Sequence, residues 1–131
     1  MGTWGAGTFE NDSASDWVWE LEASETLAPV EAALAAVPDD DAYLDADVAV
    51  MALAASEVIA ALRGRPAADL PEEVQAWVAG HPQPVADALL QLARAALARI
   101  IDTSELRELW DESDESAAWQ RAVTDLQNRL S

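Results

Sequence analysis

With 131 residues, 51% of them hydrophobic and 24% charged, the chain fits one globular domain long enough to bury a sizeable core. Twenty-five Asp and Glu against seven Arg and no Lys give a formal net charge of −18, a field that repels nucleic acid and anionic membrane. The absence of Cys excludes disulfides, thiolate metal sites, Fe–S clusters and cysteine nucleophiles, and one His, His81, cannot build a two-histidine metal site within a chain.

The first residues, Met1 to Asp12, show neither a basic n-region nor an apolar h-region, and Ala6 stands where a myristoylation signal wants Ser or Thr. No apolar run reaches the ~18 residues that cross a bilayer, so a soluble cytoplasmic protein is the expectation. Residues Gly2 to Phe9 read as an ordered Gly-rich arm, with turns at its glycines and with Trp4 and Phe9 seeking burial. Asn11, Asp12 and Ser13 offer N-caps for a first helix to about Glu22, with Ala14, Trp17, Val18 and Leu21 on one face and Trp19 off it. A second helix starting near Ser24 or Thr26 and ending by Pro38 carries the stripe Leu27, Val30, Leu34 and Val37, and tolerates Pro29 in its first turn. Asp39, Asp40 and Asp41 form an acidic loop, and Tyr43 and Leu44 lead into the next helix.

The stretch Asp45 to Gly64 organises the rest. Between Val48 and Leu62 only Ser56 and Glu57 are not apolar, and an Ala-rich run of that length favours helix. A helix apolar on every side must be covered on every side. Gly64 and Pro66 end it as a C′ glycine and a breaker. Asp69, Pro71, Glu72 and Glu73 open a short fourth helix with Val74, Trp77 and Val78, and Gly80 to Pro84 separate it from a fifth. The fifth carries Val85, Leu89, Leu92, Ala96, Leu97, Ile100 and Ile101 in helical period. Asp102 and Glu105 have capping-box spacing ahead of Leu106, Leu109 and Trp110. After an acidic turn, Trp119, Ala122, Val123, Leu126 and Leu130 line a last helix. The expected fold is all-α: one compact domain over residues 1–131, about seven helices around a central apolar helix.

The opening GTWGAGTFENDSASDWVWEL, the Asp39 to Leu44 lead-in, the helix around Glu57, LPEEVQAWV at Leu70 to Val78, SELRELWDES and the closing AAWQRAVTDLQNRL together resemble a bacterial family known as domain of unknown function 4259. The resemblance covers nearly the whole chain and implies the fold without implying an activity. It departs at Asp47, where the family pattern has a Pro opening the central helix.

Glu57 is the first candidate for chemistry, because an ionised carboxylate inside an apolar rod needs partners. Backbone amides of the arm or the Trp4 indole are the expected partners, making Glu57 and Trp4 a structural pin; the alternative is a general acid or base of raised pKa. The structural reading outweighs the catalytic one, since no second catalytic group lies near Glu57 in sequence. Gly2 to Gly7 fail as a phosphate cradle, with no preceding strand, no following Lys and Glu10, Asp12 and Asp16 beside them. Asp39, Asp40, Asp41, Asp45 and Asp47 lack the alternation and central Gly of an EF-hand and read as a solvated loop, although a metal-dependent enzyme using that cluster or Glu57 stays the alternative. His81, between Gly80 and Pro82, reads as a surface or capping residue.

The acids are unevenly spread: thirteen lie before Arg63 with no basic residue among them, and twelve follow with all seven Arg. Such a field either serves solubility alone or steers in a basic protein partner. Trp19, Glu20, Glu22, Asp39, Asp40 and Asp41 are the candidate partner-binding residues. The expected function is thus a small acidic, non-enzymatic interaction module without cofactor, in one version an immunity-type or antitoxin-like inhibitor of a basic protein.

Overall fold

A computed structural model describes residues 12–37, 43–67, 70–102, 104–114 and 116–130. These residues hold seven helices and no strand: α1 (Asp12–Glu22), α2 (Ala28–Ala35), α3 (Ala46–Leu62), α4 (Glu72–Gly80), α5 (Asp87–Asp102), α6 (Glu105–Asp111) and α7 (Ser116–Leu130). None is long and apolar enough to cross a membrane. The arm with Trp4, and the loop with Asp39, Asp40 and Asp41, lie outside the described residues.

α3 is the axis. Its seventeen residues span about 25 Å, and all six other helices pack against it. Every side chain from Ala52 to Ala61 is buried, with Leu53 and Ile59 at 3% and 0% exposure. The many alanines allow this, because a small Cβ lets neighbouring backbones come close on all faces. Asp45 starts the helix in extended conformation, its carboxylate accepting the Asp47 amide at 2.8 Å. A Pro at position 47 would have no such amide to offer.

The end of α3 is a Schellman turn. Arg65 N–H donates to the Ala60 carbonyl at 2.9 Å and Gly64 N–H to Ala61 at 3.0 Å, with Gly64 at φ 82°. The turn aims two arginines at the end of α7: Arg63 Nη1 donates to the Leu130 carbonyl at 3.2 Å and Arg65 Nη1 to Arg129 at 3.3 Å. Arg94, on α5, adds a 2.7 Å bond to the same Leu130 carbonyl. Three guanidinium groups thus satisfy the carbonyls that a helix C-terminus leaves over, where its dipole favours cations.

Two expectations need correction. The helical period puts Leu92 on the apolar stripe of α5, yet it is 38% exposed while Leu90 and Ala93 are buried. α5 packs against α2, α3, α6 and α7 together, so its apolar stripe widens around Leu89, Leu90, Ala93, Ala96, Leu97 and Ile100, and Leu92 lies past its edge. Asp102 does not cap α6, because it is the last residue of α5. Ser104 is the cap: its Oγ accepts the Arg107 amide at 3.0 Å and donates to the Ile100 carbonyl at 2.8 Å, tying the two helices together. Glu105 instead turns to α3, where its carboxylate accepts the Ala46 amide at 2.8 Å while its own amide donates to Leu44.

Candidate functional site

Glu57 sits midway along α3, 4% exposed, and faces α7. Arg129, in the last turn of α7, places Nη1 2.7 Å from Glu57 Oε1. At that distance the two groups form an ion pair. The same guanidinium reaches Asp125 Oδ2 through Nε at 2.8 Å and the Arg65 carbonyl at 3.3 Å. Burial lowers the Arg129 pKa, but the carboxylates of Glu57 and Asp125 outweigh it and hold the group above its ordinary value. The geometry is that of a buried charge contact joining α3 to α7. Sequence reasoning found the carboxylate, since it interrupts an apolar run, but missed its arginine, which comes from the far end of the chain. Trp4, the expected indole partner, lies outside the described residues.

The acidic residues assigned to a metal cluster divide in the same way. Asp45 caps α3, and Asp47 accepts the Ser13 hydroxyl at 2.8 Å, which fastens α1 to the start of α3. Asp39, Asp40 and Asp41 fall outside the described residues, among which no three His, Asp or Glu gather as a metal would require. His81 is the C-cap of α4: its Nδ1 lies 2.8 Å from the Trp77 carbonyl and its ring stacks on the Trp77 indole, centroids 4.5 Å apart.

The outer side of α1 presents a different surface. Trp17, Val18 and Leu21 face the core as the spacing predicts, and Trp19 points away at 79% exposure, the most exposed large apolar side chain described. It borders a cleft of about 180 Å³ lined by Ser15, Val18, Trp19 and Glu22 of α1 and by Pro71 and Glu73 at the head of α4. The α1 residues follow the i, i+3, i+4, i+7 row of one helix face, so half of this cleft is written in the local sequence. Pro71 and Glu73 could not be found that way, because only packing brings α4 beside α1.

The cleft walls are fixed from behind. Trp17 Nε1 donates to the Pro29 carbonyl at 3.3 Å, and Trp77 Nε1 donates to the Ser24 carbonyl at 2.9 Å, locking α4 onto the α1–α2 connection. Glu22 and Glu73 are exposed at the rim, and among the described residues no basic side chain lines it. Glu20 is exposed on α1 but outside the cleft. An exposed indole beside two exposed carboxylates is an arrangement suited to recognition.

A family model described as Domain of unknown function (DUF4259) matches residues 2–122. Comparison with curated proteins and with solved structures gave no match.

Proposed function

We propose that this chain, which belongs to the DUF4259 family, is a small acidic binding module that holds a basic protein partner. The observation that carries the reading is Trp19, 79% exposed on the rim of an acidic cleft, in a chain of net charge −18. Tryptophan is over-represented among the residues that dominate binding energy, and an indole left in water gains most when a partner covers it. The surrounding field speeds encounter with a basic surface and turns away nucleic acid and other anions. In its most specific form the module masks the functional surface of a basic toxin, as an immunity- or antitoxin-type inhibitor would.

The test begins with the tagged chain in lysate of its own source at about 0.05 M salt, followed by elution at about 0.5 M. A basic protein should be retained and then released. Once identified and purified, it should bind the wild-type chain with an affinity that falls steeply with salt. Retention of no basic protein, or binding indifferent to salt, would overturn the reading.

A further inference from the structure

We infer that the cleft beside Trp19 is the seat of a cationic side chain, an arginine or lysine presented by a basic segment of a protein partner. The inference rests on the basic-partner reading and gives that partner a point of attachment. Three features lead to it. The Trp19 indole offers its face to solvent, and among aromatic rings indole attracts cations most strongly. Glu22 lies one helical turn on from Trp19, and Glu73 stands across the cleft on α4. A guanidinium laid on the indole would thus have a carboxylate on either side, matching its planar set of donors.

The charge also decides against other occupants. An apolar segment would take the rim carboxylates out of water with nothing to pair them, which is unfavourable. A phosphorylated or acidic segment would meet two negative groups and the field behind them. Because Trp17 and Trp77 already hold the walls through their indole N–H groups, little ordering is required when a side chain enters.

The probe is a capped peptide of alternating Gly and Arg, compared with the same peptide carrying citrulline, which keeps the shape of arginine without its charge. With the full chain, binding is followed by calorimetry and by the indole N–H resonances, that of Trp19 being assigned from Trp19→Phe. The arginine peptide should shift the Trp19 indole more than any other, and the citrulline peptide should not. Trp19→Ala, at a position too exposed to disturb folding, should weaken binding roughly threefold to thirtyfold. Glu22→Gln with Glu73→Gln should also weaken it, whereas Glu25→Gln with Glu31→Gln, an equal loss of charge outside the cleft, should change it by no more than about twofold. Equal weakening by the two double variants, or a Trp19→Ala chain that binds like wild type, overturns the cleft assignment while leaving the basic-partner reading in place. If the wild-type chain ignores the arginine peptide at low salt, the cleft assignment also fails, and the lysate experiment then decides the broader reading separately.

Discussion

At the scale of single residues, two charged contacts make measurable demands. Glu57 is a buried acid whose cost is met by Arg129 at 2.7 Å, and removing one side of such a pair leaves the other charge desolvated. Arg129→Met, which strands the buried carboxylate, should therefore lower the unfolding free energy by about 3 kcal/mol in urea denaturation, and Glu57→Gln should lower it by less, because Arg129 keeps Asp125 at 2.8 Å. With both substitutions, the double variant should lose less than the sum of the singles, because no charge is then stranded. Strict additivity would mean that the contact couples nothing. Tyr43 gives a pH-dependent counterpart. Desolvation and, more persuasively for a side chain 67% exposed, the hydrogen bond and charge of Glu105, with Glu108 and Asp45 adding to them, push its phenol from 10.0 up to about 12. As the chain's one tyrosine, it alone produces the tyrosinate absorbance, so the midpoint is read without ambiguity. Glu105→Gln should return that midpoint toward 10. A folded pKa above the unfolded one makes this contribution to stability complete below pH 10 and lost as pH rises through about 12. The presence of Tyr43 before the central helix was plain in the sequence, but its acidic neighbours on α6 were not, because they depend on the Glu105–Ala46 contact.

At the scale of elements, most of the fold was legible because the helices obey period and punctuation. The stop at Gly64 was visible as a C′ glycine; what it does for α7 was not. Its positive φ lets Arg63 and Arg65 turn back onto the α7 carbonyls, so one glycine sets both the end of α3 and the seating of the last helix. No atom lies within 4 Å of where a Cβ would stand, so any penalty for a side chain is conformational rather than steric. Gly64→Ala should thus lower stability by about 1 kcal/mol, and Gly64→Asn by less, since Asn tolerates the left-handed region. Thermal melts that rank the two the other way would assign the glycine a different role. Where element-level reasoning failed, it failed by counting spacing alone. Asp102 and Glu105 satisfy a capping-box interval, but Ser104 between them has the shorter reach to the α6 amides and the Ile100 carbonyl. Leu92 satisfies a period, but a helix with four neighbours buries a band wider and differently centred than a single stripe.

At the scale of the whole molecule, the number of charges was legible and their arrangement was not. Five of the seven arginines reach a helix end or a buried acid. Arg63, Arg65 and Arg94 meet at the end of α7, Arg129 turns inward to Glu57, and Arg107 reaches the Ile101 and Asp102 carbonyls at the end of α5. The half-exposed Arg107–Asp111 pair, at 3.5 Å, adds little. Twenty-five acids against seven arginines, five of them so placed, leave the exterior dominated by like charge, which opposes compaction and is screened by salt. The midpoint of thermal unfolding should accordingly rise as NaCl goes from about 0.01 to about 0.15 M, where the screening length falls below 10 Å. The buried Glu57–Arg129 contact, shielded from ions, should not reverse that trend. The same change in salt should weaken the complex with a basic partner, because there the acidic field is attractive. One titration thus gives two readouts of opposite sign, a tighter fold and a looser complex. If both weaken together, attraction within the chain outweighs repulsion and the acids are paired more fully than their placement implies. If the fold tightens while affinity stays flat, the acidity serves solubility and the partner does not read it.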